Sequence, residues 1–299
     1  MVDTHAAAAR ALAVPPLRPE YLRDIVAGED IGVVQQPLTV WQRLANQSWL
    51  RKAFILCVIA AAWEIYARWL NNPLLVPTFT ATLDAFAAGM VGGDLLQKVA
   101  NSVLLLLKGY AIGLALAMAF TALAMMSRIG NDLLETLTSA FNPLPAIALL
   151  PLALIWFGLG DISIIFVLVH SVLWAVALNT HSGFRSVSNT LRMVGRNYGL
   201  KGPRYIAKIL IPAAFPSIVT GLKIGWAFAW RTLIAAELVF GVSSGKGGLG
   251  WYIYENKNML DIPAVFAGLL TVILIGLIVE NFIFRNIEAV TVRRWGMQS

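Results

Sequence analysis

Six stretches of the chain are apolar on every face of a helix rather than on one. They run roughly over residues 53–70, 101–126, 136–157, 162–181, 216–241 and 263–285. A helix that crosses a hydrocarbon core of about 30 Å needs about 20 mostly apolar residues. Backbone N–H and C=O groups find no water there, so each stretch is predicted to be helical. The polar segments between them set an orientation. Arg185, Arg192, Arg196, Lys201, Arg204 and Lys208 all fall in 183–215, between stretches four and five. Arg51 and Lys52 precede the first stretch, Arg128 follows the second, and Arg285, Arg293 and Arg294 follow the sixth. The remaining loops carry only Lys98, Lys246 and Lys257, each offset by acids. Lys and Arg gather on the cytoplasmic side of a membrane, so six crossings with both termini inside satisfy every loop.

Residues 1–48 read as a separate cytoplasmic tail, and 49–299 as one membrane domain with a long cytoplasmic loop at 183–215. The tail holds Pro15, Pro16 and Pro19 and ends with Leu38, Trp41, Ala45 and Trp49 at helical spacing. That spacing fits an interfacial helix or simply the start of the first span. The first thirty residues have no long apolar core of the signal-peptide kind.

Composition agrees with the pattern. Hydrophobic residues make up 58% of the 299 and charged ones 13%, about half the charged share of a soluble domain. Mean hydropathy is +0.72. The net charge of +7 sits between apolar runs, as lipid topology requires, and is not gathered into a nucleic-acid face. With one cysteine, Cys57, no disulfide framework is possible. His5, His170 and His181 lack metal-ligand spacing, and no Ser-His-Asp or Cys-His arrangement is visible, so neither a catalytic nor a metal site is expected. The stretch "GVSSGKGGLG" (241–250) imitates two phosphate-binding motifs. Three residues separate Gly241 from Gly245 and Gly247 follows Lys246, whereas a P-loop needs four residues and a Ser or Thr after the lysine. It also follows a membrane span where a dinucleotide motif needs a strand. A turn between spans is the better reading.

The basic loop has an internal plan. Leu191, Val194 and Tyr198 recur at helical spacing, Gly199 can end that helix, Pro203 opens a second one and Pro212 ends or kinks it. The stretch resembles the signature loop of binding-protein-dependent ABC importer permeases: Glu-Ala-Ala, three residues, Gly, nine residues, Ile, one residue, Leu-Pro. Here Gly199, Ile209 and Pro212 keep the spacing, while Met193, Val194 and Gly195 stand in place of Glu-Ala-Ala. "LVPTFTATLDAF", "NSVLLLLKGYAIG", "NPLPAIALLPLALIWFGLG", "AWRTLIAAELVFG" and "GGLGWYI" extend the likeness over most of 50–295, nearest to the permeases of nitrate, aliphatic sulfonate and taurine importers.

The resemblance implies an all-α type I importer permease of about six spans in a bacterial inner membrane, paired with a second copy. A periplasmic binding protein would deliver a small anionic solute. Two ATP-binding subunits would bind ATP and Mg, which this chain does not, and would grip a coupling loop of Met193, Val194, Gly195, Arg196, Gly199, Lys201, Arg204, Ile209 and Pro212. The rival reading is a secondary transporter or channel that works without ATP.

Ionisable groups inside spans cost about 2.5–3.5 kcal/mol each and need a reason. Glu64 and Arg68 are four apart and predict a local pair. Lys223 is placed to snorkel, and Glu280 to meet a cation or the interface. Lys108, His170, Trp226, Trp230, Arg231 and Glu237 are the candidate pathway residues. Arg231 between two tryptophans suits an anion; the alternative is an ion pair, for instance with Glu237 of another copy.

Overall fold

A computed structural model of the chain describes residues 46–240 and 247–293. By its internal contacts the chain divides into two units, 1–56 and 57–299. In the first, the described part is the opening of a helix; the proline-bearing tail and its Leu38, Trp41 and Ala45 lie outside the described residues. The second unit is built from helices.

The long apolar stretches become α1 (Ser48–Leu70), α3 (Leu95–Met126), α6 (Asp161–Ser186), α9 (Phe215–Phe240) and α11 (Ile262–Thr291). Between α1 and α3 runs α2 (Phe79–Val91), and between α9 and α11 runs α10 (Leu249–Asn258). Neither α2 nor α10 was expected, because each is too short to register as a span. Thr78 caps α2 by accepting from the Ala81 N–H at 3.1 Å. The Arg68–Glu64 pair forms at 2.6 Å. Glu64 also accepts from the Thr80 N–H and Oγ, both at 3.1 Å, which ties α1 to the first turn of α2.

The third expected span is two helices. α4 (Arg128–Phe141) stops at Asn142, and a tight lead-in at Ala146–Leu149 opens α5 (Leu150–Phe157) at 89° to it. Pro143 and Pro145 cause the break, because proline lacks the N–H a helix needs and crowds the preceding turn. The segment between α6 and α9 folds as α7 (Asn189–Asn197) and α8 (Gly202–Ala213), and α8 meets α9 at 80°. Pro212 and Pro216 flank that bend, and a wide π turn at Ile206–Leu210 precedes it.

α6 is the central span. Its apolar stretch is 56% buried, against 28% in α3 and in α11. Close approach to α3 rests on Gly109 and Gly113. A Cβ on Gly109 would sit 2.6 Å from the Leu168 Cβ, and one on Gly113 2.8 Å from the Val172 Cβ. Helices in lipid gain from such close backbone approach at small residues four apart. α6 packs on α9 as well. Tyr110 of α3 donates to the Leu222 carbonyl of α9 at 2.9 Å. Lys223 pairs with Glu280 at 2.7 Å, joining α9 to α11. Glu280 thus meets a cation, as expected, and that cation is Lys223 of the neighbouring span.

Candidate functional site

Two features bring the sequence-level candidates together. The first is the α7–α8 hairpin. Ser188 caps α7 by accepting from the Leu191 N–H at 3.4 Å. At the other end Gly199 turns with φ +68° and donates to the Arg196 carbonyl at 2.9 Å, while Leu200 donates to the Gly195 carbonyl at 3.0 Å. This pair of bonds is the Schellman ending, which needs a left-handed residue at the position Gly199 occupies. Gly202 is left-handed as well, at φ +54°. Two such residues and Pro203 send the chain straight back as α8.

The hairpin is fastened at its base. Arg192 donates to the Phe184 carbonyl at 2.6 Å and to the Val187 carbonyl at 3.1 Å, satisfying backbone at the end of α6. Phe184, Val187, Leu210 and Ala214 form a small core with Tyr205 and Ile206 against it. Arg185 binds Glu135 of α4 at 2.6 Å. Arg196, Lys201, Arg204 and Lys208 are exposed, and among the described residues none of them is ion-paired.

The apolar side of α7 is left exposed among the described residues. Leu191, Val194 and Tyr198 are 43%, 40% and 81% exposed, and Met193, on another side, 56%. The side that packs inward belongs to Gly195, where an added Cβ would lie 2.8 Å from the Tyr205 ring. A residue larger than glycine there pushes α7 off α8. Gly195→Leu is expected to make trypsin cut the purified chain at Lys201 and Arg204 several times faster, at a packing cost of about 1–3 kcal/mol. Unchanged digestion kinetics would show that the contact does not hold the hairpin shut.

The second feature is a cavity of about 400 Å³ at the break in the third span. The break contributes residues 142–147, α6 contributes His170, Ser171 and Trp174, and α9 contributes Phe228, Arg231, Thr232 and Ala235. Trp174 stacks on Phe141 with ring centroids 5.5 Å apart, and His170 meets both rings edge-on. Both His170 nitrogens and the Trp174 indole nitrogen are buried without a hydrogen-bond partner. Among the described residues no acid lies within ion-pairing distance of Arg231, as the ion pairs formed all involve other cations.

Of the six candidate pathway residues, His170 and Arg231 share this cavity and four do not line it. Lys108 is exposed on α3. Trp226 packs edge-on against Tyr110 at 5.6 Å. Trp230 is 6% exposed, inside the main core. Glu237 is 3% exposed and is a structural node. Ser102 Oγ lies 2.8 Å from both Glu237 oxygens and accepts from the Leu249 N–H at 2.7 Å; the Gly250 N–H donates to Glu237 at 2.8 Å. The first turn of α10 is thus capped by α3 and α9 together. A Cβ on Gly248 would fall 2.4 Å from the Glu237 carboxyl carbon, and one on Gly250 2.6 Å from its Cβ. So two glycines of "GVSSGKGGLG" serve close packing; Gly241, Gly245 and Lys246 lie outside the described residues. A Glu237 held this way is not free to pair with Arg231 of another copy. His181 shares a 2.9 Å hydrogen bond with Asn131, and His5 lies outside the described residues.

Ser171, Trp174, Phe228 and Thr232 escaped the sequence reading. The Pro-interrupted "NPLP" inside an apolar stretch marked the break, and the spacing 228, 231, 232, 235 on one helix face marked Phe228 and Thr232; neither signal marked Ser171 or Trp174.

Residues 109–289, more than half of the chain, match the family described as "Binding-protein-dependent transport system inner membrane component". An ABC transporter permease protein of Methanocaldococcus jannaschii is 33% identical over 223 residues, covering 73% of this chain and 82% of that protein. The aliphatic sulfonates transport permease protein of Escherichia coli is 28% identical over 235 residues, 77% of this chain and 88% of its own. The taurine transport system permease protein of the same organism is 26% identical over 250 residues, 79% and 86% respectively.

Proposed function

Because the chain belongs to the binding-protein-dependent transport system inner membrane components, and is thus a multi-pass ABC transporter permease, we propose that it forms the translocation pathway of an ATP-driven importer. Its solute is a small anion of the sulfonate, taurine or nitrate kind, handed over by a solute-binding protein. A pair of ATP-binding subunits, carrying ATP and Mg, docks on the α7–α8 hairpin, and a second copy of this chain completes the pathway. The hairpin lies on the cytoplasmic side, where Arg196, Lys201, Arg204 and Lys208 favour the anionic lipid surface. Residues 49–299 act as the permease domain and 1–48 as a cytoplasmic tail.

The observation that carries this reading is the exposed apolar side of α7. Leu191 and Val194 of a short helix, with Tyr198 just past its end, make one apolar face that stays exposed among the described residues. An apolar helix face in water asks for a groove on another protein. The turn beneath it is stiff and its base is fastened to α6, so a displacement of the docked partner moves the spans as a body.

Reconstitution tests the reading. With its ATP-binding subunits and binding protein in proteoliposomes, the chain is expected to accumulate solute only while ATP is hydrolysed. Solute movement by the isolated chain without nucleotide would overturn it.

A further inference from the structure

Resting on the reading of this chain as a solute permease, we infer that the cavity at the broken third span holds an organic monoanion: a sulfonate or carboxylate group on an apolar body. An inorganic oxyanion and a zwitterion fit it less well.

Charge comes first. Arg231, exposed on this chain, is the cation of the lining, and among the described residues no Asp or Glu lines the cavity. Among the described residues Arg231 has no ion-pair partner, and an ionisable group within a span marks a functional site by default. Its planar guanidinium matches the paired oxygens of a carboxylate or sulfonate with two parallel hydrogen bonds. One guanidinium balances one negative charge. A zwitterion such as taurine would bring an ammonium close to the Arg231 guanidinium with no carboxylate in the lining to receive it, and like charges at that range repel.

Size and wall chemistry narrow the class further. A volume of about 400 Å³ falls in the range of about 300–1,000 Å³ usual for sites that hold small organic molecules. A four-atom ion would leave most of it empty. Pro143, Pro145, Ile147, Phe228 and Ala235 give the walls an apolar character, suited to an alkyl or aryl body.

An independent observation concerns unmet hydrogen bonds. Trp174 is 7% exposed, lines the cavity, and its indole N–H has no partner; both nitrogens of His170 are in the same position. A buried donor left unpaired costs about 1–3 kcal/mol. The indole offers only a donor, Arg231 only donors and a neutral His170 one donor and one acceptor, so donors outnumber acceptors among these groups and the ligand that best satisfies them is rich in acceptors.

The test uses the purified full chain in lipid nanodiscs, titrated calorimetrically with sodium benzenesulfonate, taurine and sodium nitrate. Benzenesulfonate is expected to bind with a Kd about tenfold or more below those of the other two. Arg231→Gln should weaken it by about tenfold or more. Ala235→Phe, which keeps the cation and fills the cavity, should weaken it as much. Equal or tighter binding of taurine or nitrate, no binding of benzenesulfonate, or unchanged affinity in a monodisperse Arg231→Gln chain would each overturn the inference. The importer reading is judged separately. ATP-driven uptake by the full complex with failed nanodisc binding removes this site and spares the importer. Benzenesulfonate binding with nucleotide-free transport does the reverse.

Discussion

Glu237→Ala is expected to lower the thermal midpoint of the detergent-purified chain by about 10 °C or more and to sharply reduce its yield. The carboxylate accepts from the Gly250 N–H and meets Ser102, whose oxygen in turn caps Leu249. Alanine strips partners from buried groups at about 1–3 kcal/mol apiece and leaves a void besides. The total, about 3–5 kcal/mol, is a large share of a typical stability of about 5–15 kcal/mol. Glu237→Gln is the control. Its amide oxygen still accepts from Gly250 and its NH2 can donate to Ser102, so the midpoint should fall by only a few degrees, about 1 kcal/mol. Equal midpoints for the alanine and glutamine chains would show that Glu237 is not the node its contacts describe.

Gly199→Val is expected to cut ATP-coupled uptake by about tenfold or more while leaving membrane insertion intact. The cause is purely conformational. Nothing lies within 4 Å of a Cβ built on Gly199, but its φ is +68°. An ordinary L-residue there costs about 1–2 kcal/mol, enough to shift a two-state turn by about tenfold, and a β-branched one costs more. Gly199→Pro is worse, because it also deletes the N–H given to Arg196. Gly199→Asn should keep most activity, since asparagine tolerates the left-handed region. Uptake that survives in the valine and proline chains would remove the hairpin from the coupling role.

Much of this architecture was legible in the chain. Five of the six apolar stretches are single helices, because hydropathy over 20 residues measures what lipid demands. The hairpin was legible because glycine and proline punctuate local structure: Gly199 closes α7 and Pro203 opens α8. The 89° bend in the third stretch was not, although Pro143 and Pro145 mark it. Hydropathy runs through a break whose residues remain apolar. α2 and α10 were missed because short helices between spans bury only one side.

The candidate site was less legible. Arg231 and His170 stood out as charges and rings inside spans. Their separation from Trp226 and Trp230 depends on which helix faces turn toward α3, and that is decided by packing. The partner of Glu237, 135 residues away, and that of Lys223, on another span, are long-range facts that no local pattern encodes.

α6 reaches from the hairpin to the cavity as one uninterrupted rod. Its end at Ser186 adjoins the Arg192 clasp, and its middle carries His170 and Trp174. Sixteen residues separate 170 from 186, about 24 Å along the axis. A tilt of roughly 5° about the Ser186 end therefore swings the aromatic wall by about 2 Å. A lever of that length magnifies a small rotation at the hairpin end into a larger displacement beside the chamber.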